Sequence, residues 1–597
     1  MKPDFSIQNT VPKAFWFHVK QKPESVANWK KLNGVWEPQT WQEYGALAKQ
    51  IGLALKSSGM EKADKISILS QCRMEWVACD MGIIGMGGIT APIYHSNTPE
   101  QVQYIVEHSE AKFIFLENQE QLDKMLKIWN RLPNVKKIIV FDSYVPKDIP
   151  NVTTLNKFIQ IGVDDDSFEE HIEESDPNDA ISFIYTSGTT GNPKAGVISN
   201  SNVISSIEHL PEMLDISQND LTVAYLPLAH IAERLLGHFL KLVYGNQTAF
   251  AESIEDMPNN VRQVGPSIFF GTPRVFEKFY AKIATAISDA TSFQKKIYHW
   301  AISIGKEISI SDGSNSFFLK SKGWLAKFLI YSKIMDIFGG RIRYMISGAA
   351  PISPDIINFF KWMNITILEG YGMTETTGII SINLPHAVKI GSVGKPYPNT
   401  KIKIAEDGEI CVMAPQNINN YFNNKDATDR LLESNNNGNY WLRTGDVGYI
   451  DDDGYLFITD RKKDILITAG GKNVAPQYIE NLLKTIPYVS QSMVYGDAKP
   501  YLTALITLDD DEITKFARDR KILYQDLSDL SQKRIVVQLI NNEIQFINEK
   551  LPSYETIKKF KILEEDFDQD KDELTPTFKV KRKVVIDNYK ILLESMY

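Results

Sequence analysis

The chain has 597 residues, of which 43% are hydrophobic and 23% are charged, a balance that is ordinary for a soluble globular protein. The formal net charge of −9 disfavours general nucleic-acid binding. Only three cysteines are present, which argues against a disulfide framework. The N-terminus has no long apolar run, which argues against a secretory signal, and no apolar stretch reaches ~18 residues, which argues against a transmembrane helix. We therefore expect a cytoplasmic protein.

Short apolar runs alternate with helical patterns along the first three quarters of the chain. Helices are predicted at Trp41–Ser57 and Pro99–His108. The alternation predicts an α/β fold, with mixed sheets packed against helices. Buried strands are predicted at 66–70, 113–116, 137–141, 181–186 and 222–226.

The pattern changes near residue 401. An Asp-Gly turn joins two strand-like segments within 401–413, and further turns follow as far as Asp460. A long helical pattern then occupies 530–550. We therefore place a boundary after Asp460, which predicts a large N-terminal domain at 1–460 and a small α+β C-terminal domain at 461–597.

The segment YTSGTTGNPKAG, from Tyr185 to Gly196, follows an apolar run and so should leave the end of a strand. Glycines permit close backbone approach, hydroxyls donate hydrogen bonds and the lysine adds positive charge, which together suit a polyphosphate. The GxxxxGK[ST] spacing of a Walker A loop is absent, and a Gly/Thr-rich surface turn is the alternative. The candidate phosphate-binding residues are Thr186, Ser187, Gly188, Thr189, Thr190 and Lys194.

The order of residues in this loop resembles the signature loop of the adenylate-forming, or AMP-binding, superfamily, although Ala195 stands where the family commonly has glycine. SGAAPISP at 347–354 and EGYGMTET at 369–376 resemble two further motifs of that family. The resemblance implies an ATP- and AMP-binding site that includes Gly348, Ala349, Ala350, Tyr371, Gly372 and Thr374.

The resemblance also assigns a role to each side chain of the motif at 369–376. Tyr371 stacks on adenine, Thr374 contacts the α-phosphate, and Glu375 holds Mg²⁺ together with Thr186. An aromatic face suits a purine, and a carboxylate is a hard oxygen ligand of the kind that Mg²⁺ takes. The alternative is that Tyr371 is a core aromatic residue and that Glu375 begins a helix.

The segment 443–456 (RTGDVGYIDDDGYL) resembles the next motif of the same family, and 460–480 (DRKKDILITAGGKNVAPQYIE) resembles its hinge and the segment after it. The resemblance implies that Asp446 and Arg461 contact ribose. It also implies a mobile C-terminal domain that swings about Lys463, with Gly470 and Gly471 beside the path of coenzyme A. An ordinary turn is the alternative for the aspartate and for the glycine pair.

The segment LTPTFKVKRK at 574–583 resembles the last core motif of the family in its long-chain acyl-CoA synthetase version. The resemblance makes Lys579 the adenylation lysine, whose charge would stabilise the transition state at the α-phosphate beside Thr186 and Glu375. Lys581 is the rival for that role. A solvated basic surface is the alternative for either lysine.

Three segments point to a fatty acid as the substrate. YLPLAHIAER at 225–234, GTPRVFEKFY at 271–280 and residues 72–105 resemble long-chain acyl-CoA synthetases. A long acyl chain needs a tunnel lined by apolar and aromatic side chains. His230, Phe269 and Phe270 are the candidates, with core packing as the alternative for each. The resemblance thus implies a long-chain fatty acid–CoA ligase that uses ATP, Mg²⁺ and coenzyme A to form acyl-AMP and then acyl-CoA.

Other functions remain open for a chain with these motifs. They are a fatty acyl-AMP ligase that loads a carrier protein, a non-catalytic acyl- or nucleotide-binding relative, and a luciferase-like oxygenase. Residues 314–335 mix Phe, Trp and Leu with lysines, which fits either a peripheral membrane helix or a lysine-flanked packed helix. The predicted partners are fatty acid, ATP and coenzyme A, bound by a monomer or homodimer.

Overall fold

The structure is a computed structural model. It describes residues 3–142, 149–186, 192–310, 316–434, 440–575 and 578–597. Strands and helices are numbered in chain order. The predicted α/β class is confirmed, since parallel and mixed sheets alternate with helices through most of the chain.

Two sheets are built from the first 250 residues. One has seven strands in the order β7-β6-β5-β3-β4-β8-β9, all parallel except β9, and the other has the order β10-β11-β1-β2. The predicted strands correspond to β3, β5, β6, β8 and β10. The strands are β1 (Val26–Leu32), β2 (Val35–Thr40), β3 (Lys65–Leu69), β4 (Ile89–Ile93), β5 (Ala111–Leu116), β6 (Lys137–Val140), β7 (Val152–Thr154), β8 (Ala180–Thr186), β9 (Lys194–Ser199), β10 (Leu221–Ala224) and β11 (Gln247–Phe250).

Two further sheets follow. In the sheet β12-β13-β14-β15-β16 the first three strands are parallel, whereas β17, β18, β19, β20 and β21 form an antiparallel sheet. The strands are β12 (Ile268–Gly271), β13 (Tyr344–Ser347), β14 (Ile367–Tyr371), β15 (Ser381–Ile382), β16 (Lys395–Pro396), β17 (Lys401–Ile404), β18 (Glu409–Met413), β19 (Leu432–Ser434), β20 (Tyr440–Ile450) and β21 (Leu456–Arg461).

The last part of the chain has a hydrophobic core of its own, which runs from Leu466 to Ile562 and includes no residue of the preceding sheets. A short ribbon, β22-β23, precedes the sheet β24-β25-β26. The strands are β22 (Leu466–Ile467), β23 (Asn473–Val474), β24 (Val489–Tyr495), β25 (Leu502–Leu508) and β26 (Ile557–Ile562).

Helices cover the faces of these sheets. Thr40 and Thr98 each cap a helix reciprocally with the residue three positions on, which fixes the starts of the two helices predicted from sequence, α2 and α4. The helices are α1 (Val11–Gln21), α2 (Trp41–Ser57), α3 (Met74–Gly85), α4 (Pro99–Ser109), α5 (Gln119–Ile128), α6 (Leu155–Phe158), α7 (Ser167–Glu174), α8 (Asn200–Ile207), α9 (Leu210–Leu214), α10 (Ile231–Glu233), α11 (Leu240–Tyr244), α12 (Met257–Val264), α13 (Pro273–Ser288), α14 (Ser292–Ile310), α15 (Phe317–Ala326), α16 (Ser332–Met335), α17 (Pro354–Trp362), α18 (Lys425–Leu431), α19 (Pro476–Leu483), α20 (Asp510–Asp519), α21 (Leu527–Gln532), α22 (Arg534–Asn548), α23 (Arg582–Asn588) and α24 (Lys590–Glu594).

The long helix predicted at 530–550 is two helices. Lys533 has an extended backbone with ψ of 128°, so α21 ends there and α22 begins at the next residue. Two π-helical turns, Arg234–Phe239 and Lys327–Tyr331, interrupt other helical segments. Both return below.

Candidate active site

One cavity of about 1630 Å³ lies beyond the carboxyl ends of β8, β12, β13 and β14. The carboxyl edge of parallel strands is where α/β proteins bind ligands, because the loops that leave these strands converge there. Residues from both sides of the predicted boundary line it. The predicted site residues that line the cavity are Thr186, Lys194, His230, Phe270, Gly348, Ala349, Ala350, Tyr371, Gly372, Thr374, Glu375, Asp446, Arg461, Lys463 and Lys579.

The two ends of the predicted phosphate loop lie side by side. Thr186 ends β8, Lys194 begins β9, and the two are register partners in the antiparallel pair. The Thr186 hydroxyl donates to the Lys194 carbonyl oxygen at 3.4 Å, and the Lys194 ammonium lies 5.4 Å from the centre of the Tyr421 ring. The other predicted phosphate-binding residues, Ser187, Gly188, Thr189 and Thr190, lie outside the described residues.

Glu375 lies in a short 3-10 turn that follows β14, and it is buried at the cavity wall. The Tyr421 hydroxyl donates to Glu375 Oε1 at 2.5 Å. Burial and this carboxylate together raise the pKa of Tyr421, so the phenol keeps its proton and remains a donor. Tyr421 was missed by the sequence reasoning, because no motif surrounds it in the chain.

Only glycine fits at position 372, because the backbone of Gly378 packs directly against it. A Cβ atom there would lie 2.2 Å from the Gly378 carbonyl oxygen, which is a backbone atom and cannot rotate away. Gly372 therefore lets the turn that carries Thr374 and Glu375 fold back against the next segment. This close packing gives a physical reason for one glycine of the predicted nucleotide motif.

Asp446 is held by two donors at the cavity wall. The Tyr371 hydroxyl donates to Asp446 Oδ2 at 2.6 Å, and Arg461 Nε lies 3.1 Å from Oδ1. Asp446 and Arg461 are register partners in the β20–β21 hairpin, so the hairpin brings them together. Burial, with the neighbouring carboxylate, raises the pKa of Tyr371 and keeps its hydroxyl protonated. Each carboxylate oxygen can still accept a further hydrogen bond from a ligand.

Lys579 lines the same cavity and interacts electrostatically with Arg461 and Asp446. Its backbone is held in a tight loop, since the Thr575 N–H donates to the Lys579 carbonyl at 2.8 Å and the Lys579 N–H donates to Thr575 Oγ1 at 3.0 Å. The Lys579 side chain lines the cavity, which encloses it although it remains accessible to solvent. This enclosure, with Arg461 nearby and Asp446 opposing, lowers the pKa of Lys579 to about 8.

The rival lysine has a different environment. The Lys581 ammonium forms an ion pair with Asp572, which is exposed and belongs to the same terminal segment. Lys581 also lines the cavity. The neighbouring Arg582 makes a structural contact, donating to the Val494 carbonyl at 2.6 Å and to Glu480 at 2.7 Å. Lys579 is thus the lysine of this segment whose charge is coupled to Arg461 and Asp446.

His230 forms another part of the cavity wall. The Ala232 N–H donates to His230 Nδ1 at 3.2 Å, which fixes the neutral tautomer with its proton on Nε2. Burial, and then the positive charge of Lys579, lower the pKa of His230 to about 3. His230 and Lys579, which are 349 positions apart in the sequence, are therefore electrostatic neighbours.

The two phenylalanines predicted to line a tunnel lie on opposite faces of β12. Phe270 lines the cavity, whereas Phe269 is fully buried in the core, stacked on Tyr225 with ring centres 5.8 Å apart. Side chains alternate between the faces of a strand, so adjacent residues cannot both face the same space. The prediction of Phe269 as a tunnel residue is wrong for this reason.

Gly470 and Gly471 form an exposed turn between β22 and β23 and do not line the cavity, while Lys463 lines it. Gly471 has φ of +72°, which a turn of this kind requires. The glycine pair and the predicted hinge are thus separated in this arrangement of the chain.

Glu369 is a cavity residue that the sequence reasoning did not single out. It lies on β14 two positions before Tyr371, its side chain is buried, and its Oε2 has no hydrogen-bond partner among the described residues. Burial raises the pKa of Glu369 to about 8. Glu369 is therefore largely protonated at neutral pH and can act as a hydrogen-bond donor.

Polar contacts hold the last part of the chain against α13, which begins at the cavity. Arg274 donates to Ser490 Oγ at 2.7 Å and lies 3.6 Å from Asp509. Thr285, further along α13, donates to Glu512, and Asn481 donates to the Pro351 carbonyl at 3.3 Å. These contacts fix the position from which Lys579 enters the cavity.

The amino-acid sequence matches a known enzyme family and full-length members of it. Residues 15–422 match the family of AMP-binding enzymes, and residues 463–597 match the AMP-binding enzyme C-terminal domain. The chain is 32% identical over 591 residues to the long-chain-fatty-acid–CoA ligase FadD15 of Mycobacterium bovis, with 97% of this chain and 96% of that protein covered. It is 32% identical over 601 residues to the long-chain-fatty-acid–CoA ligase ACSBG1 of Rattus norvegicus, with 95% and 82% covered.

The fold is also that of solved adenylation domains. The A domain of carboxylic acid reductase from Segniliparus rugosus, in complex with AMP and a co-purified carboxylic acid, superposes with a TM-score of 0.75 at 19% identity, covering 100% of this chain and 96% of that one. The chain belongs to the AMP-binding enzyme family. The predicted family and architecture are confirmed, and the predicted ligase class is that of the full-length relatives.

Proposed function

We propose that the chain is a long-chain fatty acid–CoA ligase that forms acyl-AMP from a fatty acid and ATP and then transfers the acyl group to coenzyme A. The observation that carries the proposal is the meeting of Lys579 with Asp446, Arg461 and His230 in one cavity. Near full-length similarity to long-chain-fatty-acid–CoA ligases supports the substrate class.

In the first step a fatty carboxylate oxygen attacks the α-phosphorus of ATP, the bond to the β-phosphate breaks, and pyrophosphate leaves. Lys194 and Thr186 bind the phosphates, Thr374 donates to the α-phosphate, and Asp446 with Arg461 holds the ribose. Negative charge builds on the α-phosphate oxygens in the transition state, where the Lys579 ammonium stabilises it. The first step thus depends on a lysine from the last part of the chain.

The residues at Glu375 fit a magnesium site. Within the described residues no group of three or more His, Cys, Asp or Glu side chains is placed to hold a metal ion by itself. Mg²⁺ usually takes one or two carboxylates and completes its coordination with waters and substrate phosphates. Glu375 and the Thr186 hydroxyl, which line the same cavity, would hold the ion. When bound, the ion supplies positive charge that neutralises the phosphates.

The acyl chain would lie in the apolar part of the cavity. A long chain needs an apolar wall with few polar groups, and His230 is neutral at its edge, so its Nε2–H can donate to the carboxylate without the desolvation penalty of a charged imidazolium. The apolar residues of that wall include Leu210, Leu214, Ile231, Leu235, Leu236, Phe270 and Ile346.

In the second step the sulfur of coenzyme A attacks the acyl carbonyl carbon, the bond from that carbon to the phosphate oxygen of AMP breaks, AMP leaves, and the thiol proton passes to solvent. We propose that residues 461–597 turn about Lys463 between the steps, as a unit with its own core. The turn would withdraw Lys579 and bring the ribbon of Gly470 and Gly471 from the surface to the cavity. The contacts of Arg274 with Ser490 and Asp509 must break in that movement.

A substrate panel tests the function. Acyl-CoA formation is measured with acetate and with medium-chain, long-chain and aromatic acids, each with coenzyme A and with a pantetheinylated carrier protein as acceptor. The proposal expects the highest kcat/KM with a long-chain acid and coenzyme A. Preference for acetate or an aromatic acid would refute the substrate class, and transfer to the carrier protein alone would make the chain a fatty acyl-AMP ligase.

A further inference from the structure

A row of aromatic side chains on α15 and the π-helical turn after it projects into solvent. Phe317, Phe318, Trp324 and Phe328 are 80%, 77%, 70% and 69% exposed, and we refer to these four residues as the aromatic face. Trp324 and Phe328 stack with ring centres 6.2 Å apart. Large apolar groups of this kind are seldom clustered on a protein surface unless the surface binds something.

The opposite side of the same helix makes its contact with the protein. Leu319, Ala326 and Tyr331 are buried, and the Tyr331 hydroxyl donates to the Ala301 carbonyl of α14 at 2.6 Å. A helix that is packed on one side and also carries aromatic residues on the other has two apolar faces. The sequence allowed either a packed helix or a membrane-surface helix, and the structure shows a packed helix whose second apolar face is uncovered.

Lysines flank the aromatic face on both sides. At 100° per residue along α15, Phe317 and Trp324 fall within about 20° of each other, Lys320 lies to one side and Lys322 to the other. Lys327 begins the π-helical turn that carries Phe328, whose ring stacks on Trp324. Lysine stems can lie along an apolar surface while the ammonium groups reach outward to polar groups. This is the arrangement of a helix that lies in the interface of a bilayer with its axis parallel to the surface.

The charge of the region is opposite to that of the whole chain. Helices α14, α15 and α16, with the π-helical turn between the last two, contain seven lysines and a single carboxylate, Glu307, a formal charge of +6. The whole chain carries −9. A basic region on an acidic protein selects an anionic partner and orients the molecule toward it.

We propose that the aromatic face and its lysines bind the surface of a bilayer that contains anionic phospholipids. The aromatic rings enter the headgroup region and the lysines contact lipid phosphates. Among the described residues no helix is long and apolar enough to cross a membrane, so the contact is interfacial. This inference rests on the exposed face and its charge and does not depend on the proposed ligase activity.

The aromatic face is connected to the cavity through three successive helices. Helix α13 begins at the cavity wall with Pro273 and Arg274, α14 packs on α13, and α15 packs on α14. Binding through α15 would hold this side of the molecule at the bilayer, which is where long-chain fatty acids partition.

Flotation with lipid vesicles tests the inference. Full-length protein is mixed with vesicles of phosphatidylcholine alone or with 30% phosphatidylglycerol, which is roughly the composition of an anionic bilayer. We expect binding to the anionic vesicles, at least about fivefold less binding to phosphatidylcholine, and weakening at high salt. In the double variant Trp324→Ser/Phe328→Ser, the fraction bound to anionic vesicles should fall by about tenfold.

Matched control variants distinguish binding through the aromatic face from nonspecific adsorption to vesicles. Leu523 and Ile591 are each 89% exposed in the last part of the chain, so Leu523→Ser/Ile591→Ser removes comparable apolar surface elsewhere and should bind like the wild type. To test the role of charge, the fraction of Lys320→Glu/Lys327→Glu that binds anionic vesicles is compared with that of Lys558→Glu/Lys561→Glu. The latter changes two lysines of β26 that are also exposed. Acyl-CoA formation from a medium-chain acid without vesicles should be unchanged in all four variants.

Three results would overturn the inference. The first is no binding of the wild type to anionic vesicles. The second is equal loss of binding in the aromatic and the control variants. The third is sedimentation as a dimer that Trp324→Ser/Phe328→Ser converts to a monomer without any vesicle binding, because the face would then be an interface between two copies of the chain.

Discussion

Two buried aspartates, Asp446 and Asp80, have similar partners and different surroundings. Asp446 pairs with Arg461 and accepts a hydrogen bond from Tyr371. Asp80, on α3, pairs with Arg234 and hydrogen-bonds His238 Nε2 at 3.0 Å, both on the π-helical turn. All three side chains of the Asp80 group are completely buried, whereas the Asp446 group lines the cavity.

A buried ion pair can serve a binding site only where a ligand can reach it, and of these two pairs only Asp446–Arg461 lines the cavity. Burial opposes the ionisation of Asp80, but Arg234 and His238 outweigh it and hold the pKa of the carboxyl below its usual range. Arg234 also lies over the Trp76 and Phe239 rings, 5.1 Å from each. The Asp80 group therefore has a structural role, joining α3 to the turn that precedes α11, while Asp446 keeps hydrogen-bonding capacity for a ligand.

The largest expected effect is on stability, at Asp80. Asp80→Ala leaves the Arg234 charge buried without its partner, so the free energy of unfolding should fall by about 3–5 kcal/mol, measured by urea denaturation. The kcat of the folded fraction should stay within about twofold of wild type, as the group does not line the cavity. Loss of kcat in fully folded protein would make Asp80 part of the site and remove the contrast.

Lys579 should give the largest effect on chemistry. Lys579→Ala removes the positive charge that we propose acts at the α-phosphate, and the adenylation rate should fall about 10²–10³-fold, the effect of losing one transition-state donor. Lys581→Ala is the matched control and should stay within about threefold, because that ammonium pairs with Asp572. Single-turnover formation of acyl-AMP measures both variants, and equal losses would reject the choice of Lys579.

Asp446→Asn should lower activity and leave stability almost unchanged, the opposite of what we expect for Asp80→Ala. The amide keeps the shape of the side chain but loses the charge that pairs with Arg461 and that we propose binds the ribose hydroxyls, so kcat/KM for ATP should fall about 10–100-fold. The unfolding free energy should change little, since water in the cavity can solvate Arg461. A large loss of stability with normal ATP kinetics would show that Asp446 is structural too.

The smallest predicted effect is a pH dependence. The pKa of Lys579 is lowered to about 8 by enclosure and Arg461, so the active ammonium form is lost as the pH rises through 8. The kcat/KM for ATP, which reports the free enzyme, should therefore fall about twofold at that pH and tenfold per unit above it. Arginine keeps its charge in this range, so kcat/KM for ATP in Lys579→Arg should stay constant as the pH rises above 8. If kcat/KM in Lys579→Arg still falls above pH 8 as in the wild type, the fall belongs to another group, such as Glu369.

The same contrast explains what the sequence could predict. Asp446, Tyr371 and Lys579 each lie in a contiguous motif, so a resemblance could single them out. Asp80 and Arg234 are 154 positions apart and no local pattern links them. Periodicity identified β10 as a strand but not that it lies in a different sheet from β8, because strand order depends on long-range packing.

The errors at the site have similar causes. Phe269 and Phe270 are adjacent and equally apolar, so only the strand's orientation decides which one meets the cavity. Glu369 and Tyr421 became visible only through burial and contacts with distant residues. The exposure of the aromatic face at 317–328 likewise depends on which side of α15 packs against α14.

Exchange of labelled pyrophosphate into ATP tests the central claim most directly, because it isolates acyl-adenylate formation. With wild-type protein the account predicts exchange that requires a long-chain fatty acid and proceeds without coenzyme A. In Lys579→Ala the exchange should fall about 10²–10³-fold. Exchange without any fatty acid, or exchange at the wild-type rate in Lys579→Ala, would contradict the account.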